Sequence, residues 1–453
     1  MHGSNRGPPI MLDLLHFAIK EAESQGAGDV EAYAATTNES EVLIENNDIK
    51  QAKSQRLGSV GIRVILRGSL GFYSVNRLTK DSIKNAVSMA IRIARASPKD
   101  RFNSLPATSK KVHLLLGIYD RASESFGARD AAGEAARMLE AAKSYDSRVS
   151  VDSGNFSAAS GTQFLANSNG IELKEKLSTF AWTIMGMAIE DGEVSSFDFQ
   201  SGSTHSVKSI NVHKAATEFA ETVTHSLGPR KIESFKGEML LTPSSVNELV
   251  EQVISHSINS DAVQRKSSHY AGKLGKRVAT ELLNIEDDAT NVDGLGASSF
   301  DREGVPHRRN TVIEKGILKK FLYNTYTARK DRLRTTGNAS GSTSSPPSVA
   351  TTNFIVRPGT SSLDTLISEM KRGIIISRFS GNVNPTDGDF SGVAKGARLV
   401  ERGTVKHPVK EVMVAGNIFE ALRNLNGISK ERKIIFDSIL PYMRIDNISF
   451  TGG

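Results

Sequence analysis

The chain has 453 residues, 38% hydrophobic and 24% charged, which is typical of a globular protein with two or three cores. It contains no cysteine, which excludes disulfides, thiolate metal ligands and a cysteine nucleophile, and a cytoplasmic location is the default expectation. The net charge of +7 is small for this length and is not by itself evidence of nucleic-acid binding. No apolar run reaches the roughly 18–20 residues that a membrane-spanning helix needs, so no membrane association is expected.

The N-terminal part predicts a leader followed by a first folded unit. Residues 1–10 are polar with Gly and Pro, and we expect them to be a disordered leader. Residues 11–97 begin and end with helical periodicity. Between the two helices, alternating segments separated by turn residues such as Asn38 and Gly58 predict four or five antiparallel strands.

The same order of elements recurs further along the chain. A polar, proline-containing linker is predicted at 98–112, and residues 113–230 then show helical, strand-like and again helical patterns. The sequence therefore predicts two helix-flanked antiparallel sheet units in tandem.

The remaining residues, 235–453, predict a strand-dominated domain of barrel or sandwich type, so the expected fold class is α+β. Thr242 and Pro243 are typical of a helix N-cap and first helical position. An amphipathic helix that runs into a polar loop is expected over Leu249–Ser268.

Three local patterns in this last part give separate predictions. Glu314, Lys315 and Gly316 predict the turn of a hairpin. Residues 337–350 are small, polar and rich in Gly and Pro, which predicts a mobile loop. One further helix is expected near 417–427.

Several motifs in this part resemble, in their order and spacing, those of the TldD/PmbA family of two-component metallopeptidases. The resemblance covers nearly the whole chain. Its marks are SDAVQRKSS (260–268), DREGVPHRRNTVIEKGILKKFLYNTYTARK (301–330), TTGNAS (335–340), TNFIVRPG (352–359), GNVNPTDGDFSG (381–392) and PVKEVMVAGN (408–417).

In the TldD-type subunits of that family, the helix carries HExxxH, and a later Cys completes the metal ligands. On this chain the first His position is Glu251, the Glu position is Gln252, and the second His position is His256. The segment Ile434–Arg444 lies where the Cys segment would be and contains neither thiol nor imidazole. A hydrolytic zinc needs about three protein ligands and a base, so the resemblance implies no metal on this chain.

The resemblance implies a TldE/PmbA-type pseudoenzyme subunit with no catalytic residues of its own. Zinc is expected on a TldD-type partner, and the complex is expected to cleave unfolded or small peptides while this chain shapes the substrate cavity. The isolated chain is expected to be a homodimer. Two alternatives stay open: a nucleic-acid-binding or gyrase-associated protein, and a self-sufficient metallopeptidase using His256, Glu251 and a residue from a second copy.

Each residue of the helix segment also has a structural interpretation. His256 is either a partly buried histidine that hydrogen-bonds a neighbour or a residual metal ligand. Glu251 fits a solvated or interface charge. Asp261 and Arg265 are spaced for a surface ion pair on a helix, or they line the mouth of a cavity together with Lys266 and contact peptide or partner.

Two charged stretches have alternative interpretations. Basic residues interleaved with Phe321, Tyr323 and Tyr326 could bind single-stranded nucleic acid, or the aromatic residues could face a core while the lysines face water. We expect Glu286–Asp288 to be a solvated strand end rather than an acid/base pair. The basic residues of the run are Lys315, Lys319, Lys320, Arg329, Lys330, Arg332 and Arg334.

Overall fold

The computed structural model describes residues 11–107 and 111–452, so the leader predicted at 1–10 lies outside the described residues. Within these ranges an antiparallel sheet with four helices precedes a C-terminal domain dominated by strands. The predicted α+β fold class is confirmed. No helix in the described ranges is long and apolar enough to cross a membrane.

The N-terminal half has fewer and longer strands than the sequence predicts in the first unit. Asn38 and Gly58, which are typical of turns, lie inside continuous extended backbone because their strands pair along their whole length. In chain order the elements are α1 (Met11–Ser24), β1 (Asp29–Glu45), β2 (Asp48–Leu66), β3 (Ser69–Val75), α2 (Lys80–Ala96), α3 (Ala128–Tyr145), β4 (Val149–Asn167), β5 (Glu172–Glu190), β6 (Glu193–Val194), β7 (Asp198–Thr204) and α4 (Val212–Thr224).

The two predicted units share one sheet. Its order in the described chain is β3-β2-β1-β4-β5-β6, with β7 also on β5, and all pairs are antiparallel. The units are joined because β1 pairs with β4, from Glu31 opposite Asn167 to Glu45 opposite Ser153. All four helices pack on one face of this sheet.

Side-chain alternation decides what each face of the sheet contacts. Even-numbered apolar residues of β1, such as Val30 and Val42, point toward the helices, and the odd-numbered Glu31 and Tyr33 point to the opposite face. That opposite face meets the C-terminal domain, as the contacts of Glu31 below show. On the helix face, Gly71 lets α2 pack directly on β3, since a Cβ there would lie 1.9 Å from the carbonyl oxygen of Ala90.

The C-terminal domain contains one large mixed sheet. Within the described residues its main path is β11-β10-β9-β14-β22-β8-β15-β18-β19; β20 and β21 also pair with β22, and the sheet does not close into a barrel. The elements are β8 (Phe235–Leu241), α5 (Pro243–Val246), α6 (Gln252–Ser257), α7 (Ser260–Gln264), β9 (Ile285–Asp288), β10 (Arg309–Glu314), β11 (Ile317–Leu318), α8 (Thr325–Lys330), β12 (Ala339–Ser340), β13 (Ser348–Val349), β14 (Phe354–Val356), α9 (Leu363–Ser368), β15 (Arg372–Ile376), β16 (Arg378–Val383), β17 (Asp389–Lys395), β18 (Arg398–Glu401), β19 (Thr404–Pro408), β20 (Val412–Asn417), α10 (Ile418–Ala421), β21 (Leu425–Ile435) and β22 (Ser438–Thr451).

The local predictions for this domain have different outcomes. The hairpin turn is confirmed: Lys315 and Gly316 have positive φ between β10 and β11. The stretch 337–350, predicted as a loop, contains the paired strands β12 and β13. The helix expected near 417–427 is only the single turn α10, because Leu425 begins β21 and is buried against the core.

Candidate functional site

The segment that resembles the family's metal-binding helix is not one regular helix. It begins as predicted, with Thr242 Oγ1 accepting a hydrogen bond from Ser245 N and with Pro243 at the first position. A π-helical turn, Asn247–Glu251, separates α5 from α6, and Asn259 caps the start of α7. Such π-turns occur often at functional sites. The apolar face of the segment is buried in the domain core through Val246, Leu249, Val250, Val253, Ile254 and Ile258.

Glu251 and Gln252 take the positions of a ligand and a base. Glu251 is half-buried, and its Oε1 accepts a hydrogen bond from Ser255 Oγ at 2.6 Å. Burial raises the pKa of Glu251, and the nearby carboxylate of Asp437 raises it further. Gln252 is exposed and its amide donates to the carbonyl oxygen of Glu248. An amide cannot take the proton of a metal-bound water, so Gln252 cannot replace the family's base.

His256 is partly buried, and its ring is held by the backbone. Its Nε2 lies 2.9 Å from the carbonyl oxygen of Ser267. Because a carbonyl oxygen only accepts, Nε2 carries the proton and is unavailable to a metal ion in this arrangement. This geometry matches the structural interpretation of His256 as a histidine that hydrogen-bonds a neighbour.

The residues present do not fit the zinc site that the family resemblance describes. Across 11–107 and 111–452, no three His, Cys, Asp or Glu side chains are grouped as metal ligands. The segment Ile434–Arg444, aligned with the family's Cys, contributes only the carboxylate of Asp437 near Glu251. Burial raises the pKa of Asp437, which favours its neutral form and weakens it further as a ligand.

Asp261, Arg265 and Lys266 lie at the surface around α7. Arg265 Nε is 2.9 Å from Asp261 Oδ2, which is the ion pair predicted from their spacing. Both side chains are exposed, so the pair contributes about 0.2–1 kcal/mol at most. Lys266 follows with a φ of 62°. Their contact with peptide or partner stays a prediction.

The prediction that Glu286–Asp288 form a solvated strand end is wrong. All three carboxylates are buried on β9. Arginines from other segments reach Glu286 and Asp288. Arg357 pairs with Glu286, and Arg309 Nε lies 2.9 Å from Asp288 Oδ2. These arginines lie 21 and 71 positions further along the chain, which a local sequence pattern does not reveal.

Asp287, in the middle of this stretch, accepts hydrogen bonds from residues of two of the family motifs. Its Oδ1 accepts from Thr352 N, and its Oδ2 accepts from Asn338 Nδ2, both at 2.6 Å. Burial raises the pKa of Asp287 to about 6, although these hydrogen bonds act to lower the pKa. The motifs 335–340 and 352–359 therefore meet at one buried carboxyl group.

A buried ion network joins the N-terminal sheet to the C-terminal domain. Arg63 Nη2 lies 2.6 Å from Glu31 Oε2, and Arg63 Nη1 lies 2.9 Å from Glu303 Oε1. Arg302 Nη1 lies 2.8 Å from Glu31 Oε1. All four side chains are buried. Burial alone would raise the pKa of Glu31, but Arg63 and Arg302 outweigh it, so the pKa is lowered.

Each residue of the sequence DREG, at 301–304, has a structural role at this junction. Asp301 Oδ1 accepts from the backbone N–H groups of Glu303 and Val305, both at 2.9 Å. Gly304 has a φ of 80°, and a Cβ there would lie 2.8 Å from Ile171 Cγ2 in the β4–β5 turn. Sequence reasoning missed this junction. Its one local signal is Glu31, the single charged residue between Val30 and Asn38 in the first half of β1.

A cleft of about 1040 Å³ lies next to this network, between the β4–β5 turn and the C-terminal domain. It is lined in part by Gly304 and by Thr325, whose N–H donates to Glu303 Oε2 at 2.9 Å. Asp261, Arg265 and Lys266 do not line it.

The basic run between 315 and 334 follows the structural interpretation. Phe321 and Tyr323 are 7% and 6% exposed, and both belong to the domain core. Tyr326 is half-buried, and its hydroxyl donates to Asp100 Oδ2 at 2.8 Å. The core-facing interpretation of Phe321 and Tyr323 is therefore confirmed, and neither ring offers a surface for base stacking.

Comparisons with known proteins agree with this architecture. Domain profiles described as PmbA/TldA metallopeptidase domain 1, central domain and C-terminal domain match residues 30–94, 123–227 and 234–452. The TldE structure from Thermococcus kodakarensis superposes with a TM-score of 0.90 at 21% identity, covering 98% of this chain and 100% of that chain. That similarity shows a shared fold.

Two curated relatives carry the names PmbA and TldD. Metalloprotease PmbA of Escherichia coli O157:H7 is 26% identical and covers 96% of each chain. A metalloprotease TldD homologue of Buchnera aphidicola is 25% identical, over 86% of this chain and 83% of that protein. Overall identity therefore does not distinguish the subunit types. With matching profiles along most of its length, the chain belongs to the PmbA/TldD metallopeptidase family.

Proposed function

We propose that this chain is the non-metal-binding, TldE/PmbA-type subunit of a two-component metallopeptidase. The observation that carries the proposal is the chemistry of the helix segment. Glu251 and Gln252 occupy the positions of a ligand and the base, and His256 Nε2 is engaged with the carbonyl oxygen of Ser267. A hydrolytic zinc needs about three protein ligands and a base. One of the family's three ligands remains.

In this proposal a TldD-type partner binds zinc and supplies the catalytic residues. This chain shapes the substrate cavity for unfolded or small peptides, with Asp261, Arg265 and Lys266 at its mouth. The complex is cytoplasmic, and the isolated chain forms a homodimer. The similarity in fold to a protein named TldE supports this assignment.

Reconstitution with a TldD-type subunit tests the proposal. An unstructured fluorogenic peptide is incubated with this chain, with the partner, and with both together. We expect the two proteins to co-elute and the mixture to hydrolyse the peptide, while this chain alone is inactive. Hydrolysis by this chain alone that is lost in His256→Ala would overturn the assignment. The matched control is His225→Ala, at an exposed histidine that caps the end of α4.

A further inference from the structure

We propose that the cleft between the N-terminal sheet and the C-terminal domain binds an extended acidic peptide segment with apolar side chains. This inference rests on the proposed function only for the class of ligand, which is a peptide. The binding site itself is argued from the cleft and concerns this chain without its partner. A volume of about 1040 Å³ is large enough for several peptide residues.

The walls of the cleft are mainly apolar and come from both halves of the chain. Ile171 and Leu173 come from the β4–β5 turn, and Val305 and Pro306 come from the loop after Gly304. Leu333 also lines the cleft and is 56% exposed. An apolar ligand side chain that covers these groups is stabilised by about 25 cal/mol for each Å² removed from water.

Two side chains that line the cleft each carry a buried polar atom without a hydrogen-bond partner in the part of the chain that the structure describes. Thr325 Oγ1 and His307 Nδ1 are buried and have no hydrogen-bond partner among the described residues, and both side chains line the cleft. Thr325 is only 9% exposed. Leaving such a group unpaired costs roughly 1–3 kcal/mol, and a peptide N–H or C=O recovers this once the side chain turns its polar atom toward the cleft. Burial lowers the pKa of His307 to about 4, so its ring is neutral at physiological pH.

The charge of the cleft selects an acidic ligand. Among the described lining residues, Lys111, Arg308, Arg329 and Arg334 are basic and Glu172 is acidic. Glu172 Oε2 lies 2.8 Å from His16 Nε2. Arg329 and Arg334 are exposed, and among the described residues neither has a carboxylate within ion-pair distance. Unpaired positive charge at the rim of a cleft attracts a negatively charged ligand and accelerates its association.

A peptide fits this cleft better than single-stranded nucleic acid. Proteins that bind single strands combine basic residues with aromatic rings on which the bases stack. None of the described residues lining the cleft is Phe, Tyr or Trp. In the basic run, Phe321 and Tyr323 are buried in the core, and Tyr326 is half-buried with its hydroxyl hydrogen-bonded to Asp100.

Fluorescence anisotropy of the full chain tests the proposal with three labelled probes. These are an unstructured peptide alternating Leu or Val with Glu, the same peptide with Lys in place of Glu, and an oligo-dT strand. We expect the acidic peptide to bind most tightly at physiological salt. Arg329→Glu combined with Arg334→Glu should weaken its binding at least about 10-fold, because two attractions become repulsions.

Two further variants make the result specific. Lys430→Glu combined with Arg432→Glu reverses two exposed charges that do not line the cleft, and its affinity should stay within about twofold of wild type at this ionic strength. Thr325→Val keeps the side-chain volume but removes the hydroxyl, and should weaken binding about 3-fold to 10-fold.

The proposal is overturned if the acidic and basic peptides bind equally, if the cleft double variant binds like wild type, or if oligo-dT binds more tightly than the acidic peptide. These measurements use the isolated chain without metal. A negative result therefore leaves the subunit assignment intact, and failed reconstitution leaves the cleft proposal intact.

Discussion

Glu31→Gln is the sharpest test of how the two halves of the chain are held together. Glu31 is fully buried and pairs with Arg63 at 2.6 Å and with Arg302 at 2.8 Å. The amide keeps the shape of the side chain but removes its charge, which leaves Arg63 with Glu303 as its remaining carboxylate and leaves the buried Arg302 with no carboxylate partner among the described residues. Breaking a buried ion pair from one side costs about 3–5 kcal/mol, and we expect a loss of that size in the free energy of unfolding.

Urea unfolding measures this loss. The fluorescence of Trp182, the single tryptophan, reports on the N-terminal sheet in which it is buried, and far-UV circular dichroism reports on the whole chain. Both probes are needed, because a chain with more than one core can depart from two-state unfolding.

The matched control is Glu41→Gln on the same strand. Glu41 pairs with Lys53 at 2.7 Å, but both side chains are partly exposed, so the expected loss is below about 1 kcal/mol. If Glu31→Gln is no more destabilising than Glu41→Gln, the buried network does not stabilise the junction and the reasoning is refuted.

Three other predictions follow from buried groups and close contacts. Burial raises the pKa of Asp198 to about 6. The stability that its protonated form contributes is therefore fully present below about pH 4 and is lost as the pH rises through about 6. Asp198→Asn should flatten this part of the plot of unfolding free energy against pH. Gly304→Ala should destabilise the chain by about 1–3 kcal/mol more than Gly272→Ala in thermal unfolding, because both have positive φ but only Gly304 meets side chains of the β4–β5 turn. A smaller difference would contradict the close contact. His256→Ala should cost about 1 kcal/mol in urea unfolding through the lost hydrogen bond to Ser267, and a neutral result would mean that this bond is not maintained in solution.

Sequence reasoning succeeded where structure depends on neighbours along the chain. The N-cap at Thr242, the turn at Lys315 and Gly316, and the ion pair between Asp261 and Arg265 each depend on residues within four positions. These are the distances over which capping, turn conformation and helix spacing act.

Sequence reasoning failed where a strand or a charged side chain pairs with residues that are distant along the chain. Glu31 lies opposite Asn167 in the joined sheet, and no local pattern fixes that register. Asp287 looked solvated because its partners, Asn338 and Thr352, lie at least 51 positions further along the chain. Burial of charge is decided by such distant partners.

For the candidate site, the sequence alone shows that two of the family's metal ligands are absent. It does not show what surrounds Glu251 and His256. The π-turn at Asn247–Glu251 and the carboxylate of Asp437 near Glu251 appear only in three dimensions. The same is true of the bond from His256 to the carbonyl oxygen of Ser267.

The central claim, that this chain does not bind the catalytic metal, is tested most directly by elemental analysis of the chain purified without a partner. We expect far less than one zinc per chain, with the same background in wild type, His256→Ala and His225→Ala. Stoichiometric zinc that is lost in His256→Ala and retained in His225→Ala would contradict it.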